Sequence, residues 1–524
     1  MDQLVLMFVL LFATILAEPL ARRLGIASAV LMTVFGCVLA LIPVVPRVDV
    51  PPDLILPLVL PPLLYAAARR TSWRQFAENW GPIALRAVGL VFATAAAVTA
   101  VFHAWYPALP LAACLALGAV VAPPDPVAAT AMAAKLGLPR RLVVTLGGEG
   151  LFNDVTAIVI YSVAVQAVLT GKFSAWHAVG EFVISAVVAI VVGMALGYAG
   201  SKLTSKLEEA SWQVALSLLL PFAAYGVAEA FSGSAVLAVL VCALYLTDAG
   251  TNFGDRDYRL VGDAFWEITE MLISGFAFGL IGLELGVVLD DTGDGWPRLL
   301  GFASVVVAVV VGLRLVWLLT TLSLRRWWRD EDADEPYTWK ETIVTWWAGM
   351  RGVATIALAL AMPLLTDARE PFPGRTQILF TAFVVVLFTL LLQGPTLPLV
   401  VRLTGVQADS QKERLLERSL WERVVRAELG CLEQIAETEG LPDDVYERLR
   451  NQLRQRLARA DPEAADEDAK AHAARDLKLM MKIRDIQSDV VEAGRREAMA
   501  ARREPGMPPD LVDRVTRRLD LGRR

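Results

Sequence analysis

Trp-Trp-Ala-Gly-Met-Arg-Gly-Val-Ala-Thr at 346–355 and Val-Ala-Pro-Pro-Asp-Pro-Val-Ala at 121–128 each interrupt a long apolar stretch. A membrane helix satisfies its own backbone, and breaks of this kind are tolerated at bilayer depth only where they are buried in protein or line a cavity. Each break also places an ionisable group, Arg351 or Asp125, where charge is expensive and is usually retained for a function. Paired breaks in corresponding membrane segments point to the substrate site of a secondary transporter.

Working outward, the chain has 524 residues, of which 56% are hydrophobic, a composition unusual for a single soluble domain. Apolar runs of about 20 residues predict spans at 3–18, 24–43, 52–68, 82–105, 109–134, 145–170, 176–200, 211–231, 233–247, 264–288, 296–324, 341–364 and 375–402. The expected fold class is therefore an all-α polytopic membrane protein of 13 transmembrane helices. The expected domains are a membrane domain at 1–402 and a cytoplasmic helical tail at 403–524.

Charge tests the count, because positive loops stay on the cytoplasmic side. Arg22 and Arg23, Arg69 and Arg70, Arg140 and Arg141, Lys202 and Lys206, Arg256 and Arg259, and Arg325, Arg326 and Arg329 fall in alternate loops. The loops between hold singles such as Arg47, Lys172, Arg298 and Arg369. This alternation predicts an external N-terminus and an internal tail. The first span lacks a basic n-region and a small-residue cleavage signal, so it is expected to be retained.

A net charge of −6 argues against a nucleic-acid partner. Cys37, Cys114, Cys242 and Cys431 are dispersed, giving neither a disulfide framework nor a zinc site. No GxxxxGK[ST] phosphate loop occurs, and no nucleophile or metal grouping suggests an enzyme. The tail mixes both signs of charge, with Leu415, Leu420, Val424 and Leu429 at helical spacing and breaks at Pro442, Pro462 and 505–509.

The interrupted segments are the fifth and twelfth spans. An odd offset makes them cross the membrane in opposite directions, as inverted repeats of spans 1–6 and 8–13 require. Half-helix ends of opposite polarity would then meet near the midplane, where Asp125 and Arg351 offset them.

The sixth span opens Gly-Gly-Glu-Gly-Leu-Phe-Asn-Asp at 147–154. Asp154 follows Glu149 by five residues, about 140° around a helix, so one carboxylate can face a site and the other a partner. Asp125 and Asp154 from neighbouring spans would form a carboxylate pair able to hold a small cation with backbone oxygens and water. Desolvation favours the protonated form of a carboxylate, and a nearby carboxylate favours it further. Such a pair binds either a proton or a cation, and that competition is itself an exchange mechanism. Glu149 and Arg351 read as a buried pair bracing the two breaks. Arg314, deep in the eleventh span, reads as a structural partner for an acid or a helix end. A helix cap for the second half-helix is the weaker reading of Asp125.

On these residues the chain resembles the bacterial sodium/proton antiporters of the cation/proton antiporter-1 family, relatives of animal sodium/proton exchangers. The likeness is carried by DPVAATAMAAKLGLPRRL at 125–142, GEGLFNDVTAIVIY at 148–161, RLVW at 314–317, WWAGMRGVATIALALAMP at 346–363 and LLLQGPTLPLVVRLTG at 390–405. The resemblance implies a homodimer in the bacterial cytoplasmic membrane, with a core that moves like an elevator against a dimerisation domain. It implies cation and proton binding at Asp154, support from Asp125 and Asn153, and a Glu149–Arg351 ion pair. Asn153 before the key aspartate implies electroneutral exchange. The chain departs from the family where Pro124 replaces a threonine, Gly150 a serine and Gly147 an acid. The first two changes remove hydroxyl oxygens near the site. Sodium is the expected substrate, with lithium as its surrogate and potassium as the competing ion. An ion channel is the remaining alternative, although no selectivity-filter sequence is present.

Overall fold

The computed structural model describes residues 3–460 apart from 43–44, 46–51, 70–80, 82–83, 126–128, 131, 134–135, 172–174, 254–255, 293–294, 328–337, 409 and 440–441, together with 494 and 497. Arg47, Arg70, Lys172, Arg329 and the tail breaks at Pro462 and 505–509 lie outside the described residues, as do the side chains of Arg256, Arg325 and Arg326. The described residues form helices, with one isolated bridge between Leu365 and Pro371. They divide into two compact units, Met1–Ala408 and Asp409–Arg524.

The first unit contains α1 (Gln3–Leu24), α2 (Ser28–Ala40), α3 (Pro52–Arg69), α4 (Leu85–Trp105), α5 (Leu111–Val121), α6 (Arg140–Thr170) and α7 (Ala175–Thr204). It continues with α8 (Ala210–Ala230), α9 (Ala235–Phe253), α10 (Arg256–Thr292), α11 (Trp296–Trp327), α12 (Trp339–Trp347), α13 (Val353–Leu360) and α14 (Arg375–Thr404). Eight of the described helices are long and apolar enough to cross a membrane, while 28–40, 56–69, 111–121 and 235–248 are shorter apolar helices.

The two interrupted segments account for the shortest pieces. Helix α5 has 11 residues, α12 has 9 and α13 has 8. At about 1.5 Å per residue each reaches roughly half of a hydrocarbon core or less. Such halves are held by what packs around them, and α5 is surrounded by α4, α6, α13 and α14.

Elsewhere the helices approach closely through small residues. A Cβ on Gly36 of α2 would overlap the Gly279 carbonyl of α10, and one on Gly282 would overlap the Thr33 carbonyl. Helices α2 and α10 therefore meet backbone to backbone, the close approach that glycine permits in a membrane interface. The first unit ends at Ala408, beyond the compositional change at residue 402. Helix α14 runs to Thr404, Gly405 closes it at φ 67°, and the Ala408 N–H donates to the Gly137 carbonyl. In the second unit α15 (Ser410–Glu439) packs on α16 (Asp443–Ala460).

Candidate functional site

The two breaks touch. The backbone N–H of Asp125 donates to the Met350 carbonyl at 2.6 Å, joining residues beyond the end of α5 to those between α12 and α13. Helix α5 leaves its last carbonyls without intrahelical donors, and the buried Arg351 side chain supplies them. Its Nε donates to the Val121 carbonyl at 3.2 Å and its Nη2 to the Ala122 carbonyl at 3.3 Å, while Nη1 donates to the Gly349 carbonyl. A cation thus sits on the negative end of α5.

The opposite arrangement holds at the start of α13. Gly352 precedes α13, and a Cβ there would overlap the Asp125 carboxylate. The anion consequently lies against the positive, N-terminal end of α13. The glycine is required by this approach, since any larger residue would displace the aspartate.

Each break is also pinned by the helix that follows it. Asn153 of α6 donates from Nδ2 to the Pro124 carbonyl at 3.2 Å. The Thr389 hydroxyl of α14 accepts the backbone N–H of Arg351 at 3.0 Å. Thr389 opens a π-helical turn, Thr389–Gln393, within α14. Turns of this type often mark functional sites.

The buried ion pair differs from the sequence expectation. Glu149 pairs with Arg314, whose Nη1 lies 2.5 Å from Oε1, with both side chains 2% exposed. Arg314 Nη2 also donates to the Thr345 carbonyl at 3.3 Å. The reason is steric and electrostatic. Gly349 leaves room for the Arg314 side chain, because a Cβ there would come within 2.6 Å of Arg314 Cδ. Meanwhile, the Arg351 guanidinium is occupied by backbone carbonyls.

Asp154, on the turn after Glu149, takes a different environment. It is buried, among the described residues its Oδ1 has no hydrogen-bond partner, and the Asp125 carboxylate is close enough for its charge to act there. The Asn153 Oδ1 is likewise buried without a partner. The structure thus gathers Asp125, Asp154, Asn153 and Pro124 at the break after α5, and Glu149 and Arg314 at a separate pair. Gly150 is buried in α6 and offers no side-chain oxygen. Gly147 faces Thr130, whose Cγ2 would lie 3.8 Å from an added Cβ.

Several supporting residues escaped the sequence reading. Trp346 Nε1 donates to the Val311 carbonyl at 2.8 Å, and Trp347 Nε1 to the Thr396 hydroxyl at 2.9 Å, tying the end of α12 to α11 and α14. Arg141 grips Glu341 Oε1 from Nε and Nη2 at 3.1 and 2.5 Å, joining the starts of α6 and α12. The available signal was weak: polar residues within otherwise apolar runs.

Among the described residues, no three or more His, Cys, Asp or Glu side chains are grouped to hold a metal ion. Two carboxylates with an amide oxygen and backbone carbonyls suit a weakly held, hard monovalent cation better than a resident transition metal.

Comparison with known proteins follows the same lines. The family profile described as "Sodium/hydrogen exchanger, transmembrane" matches residues 7–403. An uncharacterized Na+/H+ exchanger of Mycobacterium tuberculosis is 33% identical, covering 97% of this chain and 93% of its own. The Na+/H+ antiporter ApNhaP of Aphanothece halophytica is 32% identical over 76% of this chain and 75% of its own. The solved sodium proton antiporter MjNhaP1 of Methanocaldococcus jannaschii superposes with a TM-score of 0.60 at 19% identity, covering 77% of this chain and 98% of that one. That likeness shows a shared fold.

Proposed function

The chain belongs to the sodium/hydrogen exchanger family, and on that premise we propose that it exchanges a monovalent cation, sodium first, for a proton across a membrane. The observation that carries the reading is the Asp154 carboxylate. It is buried beside the two breaks with an oxygen that is unpartnered among the described residues, and the neighbouring Asn153 oxygen is likewise unpartnered among them. A buried carboxylate needs a proton or a cation to offset the loss of water. The two compete for the same oxygens, so loading one expels the other.

The surrounding charges support a stoichiometry. Glu149 is neutralised by Arg314, Arg351 rests on the end of α5, and Asp125 lies at the start of α13. Asp154 is the remaining member of this set, and it has no ion-pair partner among the described residues. One proton exchanged for one sodium ion leaves that balance unchanged, which supports electroneutral exchange.

The same reading includes 13 spans, with α12 and α13 together forming the twelfth, and inverted repeats of spans 1–6 and 8–13. The matching pins, Asn153 on the first break and Thr389 on the second, support the repeat. It also includes a homodimer in the bacterial cytoplasmic membrane, an external N-terminus, an internal tail from about residue 403 and elevator-type alternating access. Potassium is the competing substrate, because Pro124 and Gly150 provide no hydroxyl ligands. Lithium is the surrogate for sodium.

In antiporter-deficient vesicles, a sodium pulse should dissipate an imposed pH gradient, and Asp154→Asn should abolish the response. Undiminished exchange by that variant would reject Asp154 as the carrier. A sodium current that persists without proton movement would instead favour a channel.

A further inference from the structure

The π-helical turn of α14 holds a polar group that the exchange chemistry above leaves unused. Gln393 is 1% exposed, and its side-chain Oε1 is buried with no hydrogen-bond partner among the described residues. Such an oxygen is costly to bury, and its retention calls for an occupant. Thr389, one turn earlier, accepts the Arg351 N–H at 3.0 Å. Residues about one turn apart share a helix face, so Gln393 presents its carboxamide on the side of α14 that borders the second break.

The next residue also lies near the second break. A Cβ on Gly394 would lie 3.5 Å from Met350 Sδ and 3.3 Å from Val30 Cγ2. Met350 is the residue whose carbonyl receives the Asp125 N–H. Gly394 therefore lies in van der Waals reach of both the second break and α2.

Resting on the antiport reading, we propose that the Gln393 carboxamide oxygen is a neutral ligand for the transported monovalent cation, a station beside the second break that the ion occupies on its way to or from the Asp154 and Asp125 carboxylates. The chemistry fits an alkali-metal ion: an amide oxygen is a hard neutral donor, and it adds no charge to the one-for-one balance. It also supplies an oxygen in a site where Pro124 and Gly150 contribute no hydroxyl. Because an amide does not titrate, the residue acts on the cation leg of the cycle and leaves the proton leg alone.

The test uses the full chain in proteoliposomes, with sodium, lithium and potassium each varied at several pH values, for wild type, Gln393→Ala and the similarly sized Gln393→Leu. Losing one neutral ligand that water partly replaces should raise the half-saturating sodium concentration by about 3- to 10-fold in both variants. The maximal rate should stay within about twofold, the size of effect expected when uniform binding alone is removed. The pH dependence at saturating sodium and the thermal unfolding midpoint should not move. Unchanged half-saturation for all three ions in either folded variant would overturn the proposal. So would a loss in which maximal rate and thermal midpoint fall together, since that pattern marks a packing role. A wild-type protein that exchanges none of the three ions would overturn the antiport reading itself, which separates the two failures.

Discussion

The break after α5 and the break between α12 and α13 are built alike and do different work. Each leaves a stretch of backbone outside helical bonding and gains a side-chain hydrogen bond from the following helix, Asn153 for one and Thr389 for the other. Each places an ionisable residue on the end of the opposite half-helix. Asp125 lies at the start of α13, and Arg351 holds the last carbonyls of α5. The difference lies one residue beyond the pin. Asn153 is followed by Asp154, whose buried oxygen has no partner, whereas Thr389 is followed by the apolar Leu390. On the proposed reading the first break carries the exchanging carboxylate, while the second carries the arginine that braces α5 and the neutral Gln393 oxygen beside it.

Removing charges should expose this division of labour. The largest effect on stability is expected at Arg314→Ala, which strands Glu149 as a buried, uncompensated carboxylate at a cost of about 3–5 kcal/mol. Thermal unfolding in detergent and the yield of folded protein would report it. The added change Glu149→Gln should recover much of that loss, because it removes the stranded charge. In a double-mutant cycle, Glu149 should couple strongly to Arg314 and weakly to Arg351. Strong coupling to Arg351 instead would contradict the observed pairing.

Arg351→Ala should follow, costing about 2–3 kcal/mol as the α5 carbonyls lose their donors. Transport by the surviving folded protein should remain measurable if the second break is a brace. Gly352→Ala should come next in stability, at about 1–3 kcal/mol for a methyl group forced against packed atoms. Its effect on function should exceed its effect on folding, because the methyl displaces Asp125. Sodium half-saturation is the measurement that checks it, and an unshifted value would show that Asp125 is dispensable. Thr389→Val should be smallest, about 1 kcal/mol for a single lost hydrogen bond, with exchange retained.

Much of this was legible in the sequence. Pro-Pro-Asp-Pro and Gly-Met-Arg-Gly cannot continue a helix smoothly, so both interruptions could be located from residue type alone. The spacing of Glu149 and Asp154 likewise let one carboxylate face a site and the other a partner, and in the fold Glu149 pairs with Arg314 while, among the described residues, the Asp154 Oδ1 has none. The partner of Glu149 was not legible. Arg314 and Arg351 are both buried arginines on other segments, and the choice depends on the space left by Gly349 and on the carbonyls that claim Arg351. Thr389 and Gln393 were also silent. Hydroxyl residues in membrane helices routinely bond to their own backbone, and Thr389 does so to Val386 as well. Only tertiary contact shows that it also receives Arg351.

The most direct test of a single uncompensated carboxylate serving both ions is the potential dependence of exchange. In proteoliposomes with a fixed sodium gradient, proton flux should be the same at every imposed membrane potential, as one charge moves each way. A flux that rises or reverses with potential would show unequal charge transfer and contradict the account.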